Sequence, residues 1–255
     1  MNDSKGVRDT SAGLLFGRGI FTTLRIVNSE PVLWQKHWRR FGTNADKINL
    51  DISAFEERWV IYSLAQAVER DLIVNGRARI TFTDQSESPI WSTNTETKTA
   101  LSIITSGLRM IPHPFKLTIS PYLVNSTSPI AGIKSCNYLE NTLAIDEATA
   151  RGFHEAIRIN ERGEVTSAAM ANLFWLKDGK LYTPSLSTGC LAGTTREFIL
   201  ENLECDEVIV DLNVLKSSDQ IFLTSAGIGV VQVAEFSGRQ LERDHHPILD
   251  LVPAF

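Results

Sequence analysis

The hydrophobic pattern opens with a β-branched and aromatic run. After Gly17-Arg18-Gly19, the residues Ile20-Phe21-Thr22-Thr23-Leu24-Arg25-Ile26-Val27 predict a strand that ends in the turn Asn28-Ser29-Glu30-Pro31, with Val32-Leu33-Trp34 as a second strand. His37-Trp38-Arg39-Arg40-Phe41 then opens a helix running towards Ile48. A second helix is expected over 53–70, with Ser53 as N-cap and an apolar face of Phe55, Trp59, Tyr62 and Val68, flanked by Ile61 and Leu64. Strands follow at 78–83 and 100–105, and the polar stretch 84–98 between them is the least structured part of this half. Order is expected to begin near Leu14, with residues 2–6 disordered.

Pro112 and Pro114 interrupt this pattern, because proline disfavours both helix and central strand around it. They place a linker near 107–115 and divide the chain into domains 1–110 and 111–255. Beyond it the pattern predicts a strand at 116–124, a loop carrying Lys134, and a helix over 138–150 with Gly152 as C-cap. Strands are expected at 154–160, 171–177 and 180–183, with Lys177-Asp178-Gly179-Lys180 as a tight hairpin turn. A helix running from Gly193-Thr194-Thr195 to about Asn202 and strands at 207–211, 220–223 and 230–236 complete the chain, which shows no internal repeat. Many strands and few helices in the second half suggest a barrel-like α+β domain behind a smaller α/β domain.

Composition narrows the partners. The net charge of -5 comes from mixed signs spread along 255 residues, without a basic block or aromatic-basic interleaving, which argues against nucleic acid. Cys136, Cys190 and Cys205 include no CxxC pair, and His245-His246 lacks a third ligand at metal spacing, so neither a disulfide framework nor a metal site is indicated. The polar start of the chain carries no apolar signal region, and no run reaches membrane-spanning length. The expected setting is the cytoplasm.

Candidate chemistry begins at Ile133-Lys134-Ser135-Cys136-Asn137-Tyr138. Lys134 sits one short turn before a helix, where its backbone would be fixed while its amine faces a cavity. Imine chemistry needs such an amine partly desolvated, so that the free base exists near neutral pH; a solvated surface lysine is the plainer reading of the same residue. Gly193-Thr194-Thr195 at a helix start suits a phosphate, or is an ordinary threonine-capped junction. The small-residue loop Thr224-Ser225-Ala226-Gly227-Ile228-Gly229 can approach an anion or serve as a plain turn, and Arg40 can add a bidentate charge or remain solvated. Together, one amine and several anion-binding elements match what pyridoxal phosphate requires of a protein.

In these segments the chain resembles the class IV, or fold-type IV, pyridoxal-phosphate enzymes, which include branched-chain and D-amino-acid aminotransferases and aminodeoxychorismate lyase. The resemblance rests on Gly17-Arg18-Gly19-Ile20-Phe21-Thr22-Thr23-Leu24-Arg25, His37-x-x-Arg40-Phe41, Lys134-Ser135-Cys136-Asn137-Tyr138-Leu139, Asn172-Leu173-Phe174-Trp175, Tyr182-Thr183-Pro184 and Gly193-Thr194-Thr195-Arg196. It implies that Lys134 forms the internal aldimine and shuttles the substrate's Cα proton. It further implies that Arg40, Thr194, Thr195, Ser225 and Ala226 hold the phosphate, that Ser167 lies at the pyridine nitrogen, and that Phe21, Thr23 and Gly227 meet the substrate. A homodimer is also implied. Phe21-Thr22-Thr23-x-Arg25 and Asn172-Leu173-Phe174-Trp175 look more like the lyase, which converts 4-amino-4-deoxychorismate to 4-aminobenzoate and pyruvate on the route to folate. The alternatives are a D- or branched-chain aminotransferase and a non-catalytic binding module.

The chain departs from the family pattern at three positions. Ser167 stands where a glutamate usually pairs with the protonated pyridine nitrogen, and Glu164, at an odd offset along a strand, should point to the opposite face. A serine hydroxyl can bond a neutral pyridine nitrogen but cannot support its protonated form, which would bias the site toward elimination. Asp84 stands where an arginine is usual and is expected to repel an anionic substrate, leaving Arg79, Arg109, Arg25 or Lys98 to supply the charge. Arg18 replaces the usual acidic residue between the two glycines. His37 is expected to play a structural role.

Overall fold

Alternation of side chains along one long strand sets the first sheet. The computed structural model describes residues 11–87 and 98–252; the expected disorder at 2–6 and most of the polar stretch 84–98 lie outside them. A short helix α1 (Ala12–Phe16) precedes β1 (Gly19–Val27), β2 (Glu30–Pro31), α2 (Trp34–Lys47), α3 (Glu57–Arg70), β3 (Gly76–Asp84) and β4 (Thr99–Gly107). The strands form an antiparallel sheet in the order β2-β1-β3-β4. Ile20, Leu24, Ile26, Ala78, Ile80 and Phe82 are buried in one core with Phe41 of α2 and Leu64 and Val68 of α3. The other face of the sheet carries Phe21, Thr23 and Arg25 of β1, which pair with Thr81, Arg79 and Arg77 of β3.

Several expected boundaries shift for local reasons. Only Glu30 and Pro31 pair with β1, and the expected strand at Val32-Leu33-Trp34 gives way to Leu33 in the left-handed conformation (φ 55°) and the first turn of α2. Ser53 caps nothing: its amide binds Asp51 Oδ1, and α3 starts four residues later behind Glu56. Trp59 and Tyr62 are exposed, while Val60, Leu64, Ala67 and Val68 form the buried stripe. Ser11, whose hydroxyl accepts from Leu14 N, caps the unexpected α1.

The second half contains β5 (Lys116–Ile119), α4 (Leu139–Ala150), β6 (Glu155–Ile159), β7 (Val165–Ala168), β8 (Asn172–Lys177), β9 (Lys180–Pro184), α5 (Thr194–Asn202) and β10 (Asp206–Val208). It continues with α6 (Leu212–Lys216), β11 (Gln220–Ser225), β12 (Gly229–Gln232), β13 (Glu235–Phe236), β14 (Arg239–Gln240) and α7 (Ile248–Leu251). Two five-stranded sheets result, β10-β9-β8-β11-β12 and β14-β13-β5-β6-β7. Leu117, Ile157, Val165, Leu173, Trp175, Ile221, Leu223 and Phe236 fill the core they share. Phe174 faces the other way, into a second core with Ile199 of α5 and Phe222. Burial on both faces explains why β8 reads as a continuous apolar run.

The architecture is α+β with a barrel-like second half, as its strand-rich pattern suggested. The expected strand at 230–236 is two strands in different sheets, so the chain turns a corner at Val233-Ala234. The strands expected at 116–124 and 207–211 are shorter, and Asp211 instead caps α6 by accepting from the amides of Asn213 and Val214. The Lys177–Lys180 hairpin closes as expected, with both Asp178 and Gly179 at positive φ.

Candidate active site

The loop before α4 is tied to β1 by main-chain pairing. Phe21 N donates to Lys134 O (2.9 Å), Cys136 N donates to Gly19 O (2.9 Å), and Ile20 pairs with Ser135. Glycine at position 19 permits this approach, since a Cβ there would lie 2.7 Å from Phe82 O and 2.9 Å from Cys136 Sγ. The Lys134 backbone is therefore fixed. Its amine lies 4.4 Å from the Phe21 ring centroid and donates to Tyr138 Oη at 3.3 Å. Burial, reinforced by the charges of Arg40 and Arg79, lowers this amine from 10.5 to about 7. A free base thus exists near neutral pH, as a carbonyl-attacking amine requires. Burial and the Glu155 charge push the Tyr138 phenol up to about 12, so it stays protonated.

Lys134 opens into a cavity of about 820 Å³. Across it, α5 begins behind Gly193 with no side chain capping its first turn. A Cβ at Gly193 would lie 1.9 Å from Asn172 Oδ1, and Asn172 holds the loop by donating to Leu191 O (2.8 Å). The hydroxyls of Thr195 and Thr224 are buried and have no hydrogen-bond partner among the described residues. An orphaned hydroxyl in the first turn of an uncapped helix, another at the end of β11, and the loop Ser225-Ala226-Gly227 that follows it fit a phosphate monoester.

Arg40 faces the same end. Its guanidinium donates to Thr22 Oγ1 (2.6 Å), and burial lowers it to about 10, which leaves it charged at neutral pH. Thr22 Oγ1 also lies 2.6 Å from His37 Nδ1, and His37 Nε2 lies 3.3 Å from Thr194 Oγ1. The imidazole is thus held between two threonine hydroxyls, one on each ring nitrogen. Burial and the charges of Arg40 and Lys134 hold His37 near 3, so it remains neutral. The chain Arg40, Thr22, His37, Thr194 fixes two elements of the phosphate end relative to each other.

Lys134, Arg40, Ser167, Thr194, Thr195, Ser225, Ala226, Phe21, Thr23 and Gly227 all line this one cavity. Arg79 and Arg109 line it too; Arg25 and Lys98 are not among its lining residues. Glu164 is likewise absent from the lining and pairs with Arg162 (2.6 Å) and Asn160 (2.7 Å). The expectation that Asp84 would repel a substrate is corrected. Odd-numbered residues of β3 face the cavity, whereas Asp84 falls on the buried face and pairs with Arg18. Sequence reasoning missed Arg77 and Arg158. Arg77 was findable, because it lies two residues before Arg79 on a strand and so shares its face.

The comparisons with known proteins agree with this geometry. The family model described as amino-transferase class IV matches residues 19–236. Aminodeoxychorismate lyase of Bacillus subtilis is 25% identical over 86% of this chain and 78% of its own length. D-alanine aminotransferase of Staphylococcus epidermidis is 26% identical over 90% of this chain and 83% of its own length. The crystal structure of a branched-chain aminotransferase from Thermoproteus uzoniensis superposes with a TM-score of 0.87, covering 98% of this chain and 88% of that one at 21% identity.

Proposed function

Because the chain belongs to the class IV aminotransferase family, whose members are pyridoxal-phosphate-dependent enzymes, we propose that it is the lyase of that family, releasing 4-aminobenzoate and pyruvate from 4-amino-4-deoxychorismate. One observation carries this reading. Arg77, Arg79 and Arg109 all line the cavity, and no carboxylate within ion-pair distance is found for any of them among the described residues. With Arg40 and α5 assigned to the phosphate, three cations remain for the substrate. A dicarboxylate matches them better than a single α-carboxylate. Arg79 is held in place over the Phe21 ring, 3.6 Å from its centroid, and by Thr81 Oγ1 at 3.2 Å.

Pyridoxal phosphate, when bound, withdraws electrons from the carbon that bears the substrate's amine. Thr194, Thr195, Ser225, Ala226 and Arg40 would hold its phosphate, and Lys134 its aldehyde carbon. The Lys134 amine takes the proton from the substrate carbon. The C–O bond to the enolpyruvyl group then breaks, the departing enolpyruvate is protonated to pyruvate, and the ring becomes aromatic. Phe21 and Thr23, which line the cavity, would meet the substrate.

Transamination of a D- or branched-chain amino acid is the second reading, supported by the D-alanine aminotransferase relative. An uncharged side chain leaves the arginines unmatched. A non-catalytic module has no support in a cavity where amine, hydroxyls and guanidinium are all in place. Pairing of two copies is part of the proposal: Leu139 and Leu143 of α4 and the neighbouring Leu123 are exposed apolar side chains of the kind a partner covers.

The test generates aminodeoxychorismate in a coupled assay and follows 4-aminobenzoate fluorescence, with keto-acid formation from amino acids in parallel. Lyase turnover well above keto-acid formation is expected. The opposite ratio makes the protein an aminotransferase.

A further inference from the structure

The cavity has an unusual charge balance for a site that must hold a pyridine ring. Its lining includes five arginines, Arg40, Arg77, Arg79, Arg109 and Arg158, besides the Lys134 amine, against two carboxylates. Both carboxylates are already engaged. Glu155 accepts from the amides of Ala156 and Ala169 at one oxygen and Met170 at the other. Glu140 is mostly exposed and pairs with Arg158 at 3.1 Å. Each is thus held by its own partners, Glu155 by three backbone amides and Glu140 by Arg158.

Arg158 stands directly opposite Ser167 across β6 and β7, so both side chains leave the sheet on the same face. The guanidinium is buried, with 4% of its side chain exposed, and is fixed by Leu123 O (2.8 Å), Tyr122 O (3.4 Å) and Glu140. At the position where the family resemblance leads one to expect a carboxylate, this chain therefore presents a hydroxyl backed by a buried, immobilised cation. A hydroxyl donates to a neutral ring nitrogen, and a nearby cation penalises a second positive charge.

We propose that Ser167 and Arg158 hold the cofactor's pyridine nitrogen in its unprotonated form, so that the ring is a weak electron sink. The inference rests on the reading of this cavity as a pyridoxal-phosphate site. It also deepens that reading. A weak sink hinders transamination, which must store the substrate's electron pair in the ring, while an elimination drawn forward by formation of an aromatic product is less affected. Selectivity for the lyase reaction is then built into the cofactor's electronics as well as the arginines.

The experiment loads the full-length protein with pyridoxal phosphate labelled with ¹⁵N in its ring and records the ¹⁵N resonance at pH 7.5. Free cofactor at high and low pH calibrates the neutral and protonated positions. The wild-type resonance is expected at the neutral position. Ser167→Glu should move it to the protonated position, and Arg158→Gln should raise the pH at which it becomes protonated. A wild-type resonance at the protonated position overturns the inference, as does a loaded Arg158→Gln/Ser167→Glu double variant that stays neutral. Failure of the wild type to develop visible absorbance with pyridoxal phosphate removes the cofactor reading itself, a different and recognisable result. The wild-type spectrum decides the sign, so a variant that fails to load does not weaken the test.

Discussion

Arg18 and Asp84 form an ion pair, Nη1 to Oδ2 at 3.4 Å, in which the carboxylate has no solvent exposure. The first is basic where the family is usually acidic and the second acidic where it is usually basic. The structure makes these two departures one interaction with its signs exchanged. Neither residue lines the cavity, so the exchange leaves the substrate's surroundings alone. Breaking a buried pair from one side costs about 3–5 kcal/mol in full burial; with Arg18 one-third exposed, roughly 2–3 kcal/mol is expected. Chemical denaturation should show at least that loss for Arg18→Asp and a larger one for Asp84→Arg, because Asp84 Oδ1 also accepts from Ser86 N and Oγ, with part of it recovered in the double variant. KM should stay within about twofold of wild type in all three, since no cavity residue changes.

Replacing Lys134 separates catalysis from stability. Lys134→Met should abolish turnover while leaving the fold intact. Because the folded state lowers this amine to about 7, the folded protein binds fewer protons than the unfolded chain between pH 7 and the ordinary lysine range. The wild-type residue is thus destabilising in the cofactor-free protein, fully so below pH 7 and not at all above about 10.5. Cofactor-free Lys134→Met should melt above wild type at pH 6, and the gap should close as the pH rises. A gap that widens with pH would contradict the buried amine.

Thr195→Val offers a test of the phosphate end. The hydroxyl is buried and unpartnered, so removing it should be neutral or stabilising by about 1 kcal/mol in the cofactor-free protein. With pyridoxal phosphate added, the order should reverse, because the variant lacks one bond to the phosphate and should bind about tenfold more weakly. Melting curves with and without cofactor would show the crossing.

For the arginines the expected change is in KM. Removing one hydrogen-bonded charge partner costs about 1.5–3 kcal/mol, so Arg77→Gln and Arg79→Gln should each raise KM for the dicarboxylate by about 10- to 100-fold. Cofactor affinity, read from the visible absorbance, should change little. Equal losses for both would place these side chains at the phosphate instead.

Much of this molecule is legible in residue order. β-Branched and aromatic runs located the long strands, and the lysine, threonine and glycine motifs located the cavity lining. What escaped depends on contacts between distant segments. Ser53 resembles an N-cap until Asp51 takes its amide, and the bond from Trp34 to Glu57 (2.7 Å) joins α2 to α3 across 23 positions. Asp84 was misjudged by counting positions against the family without counting faces of the strand. His37 was expected to be structural, but its two ring bonds to Thr22 and Thr194 become visible only once α2 and α5 are brought together. The strand that changes sheets at Val233-Ala234 carries no glycine or proline at the corner to announce it.

The pairing of the Lys134 loop with β1 also has a mechanical side. Lys134 is hydrogen-bonded to the first sheet, whereas Thr195 and Ser225 are carried by α5 and β11 of the second half. A ligand joined to the amine at one end and gripped by those hydroxyls at the other would act as a rivet between two plates. Its departure would leave the plates tied by His37 to Thr194 and by Lys36 to Glu197 and Glu201, and slowed proteolysis of the loaded protein would be the mark of the added fastening.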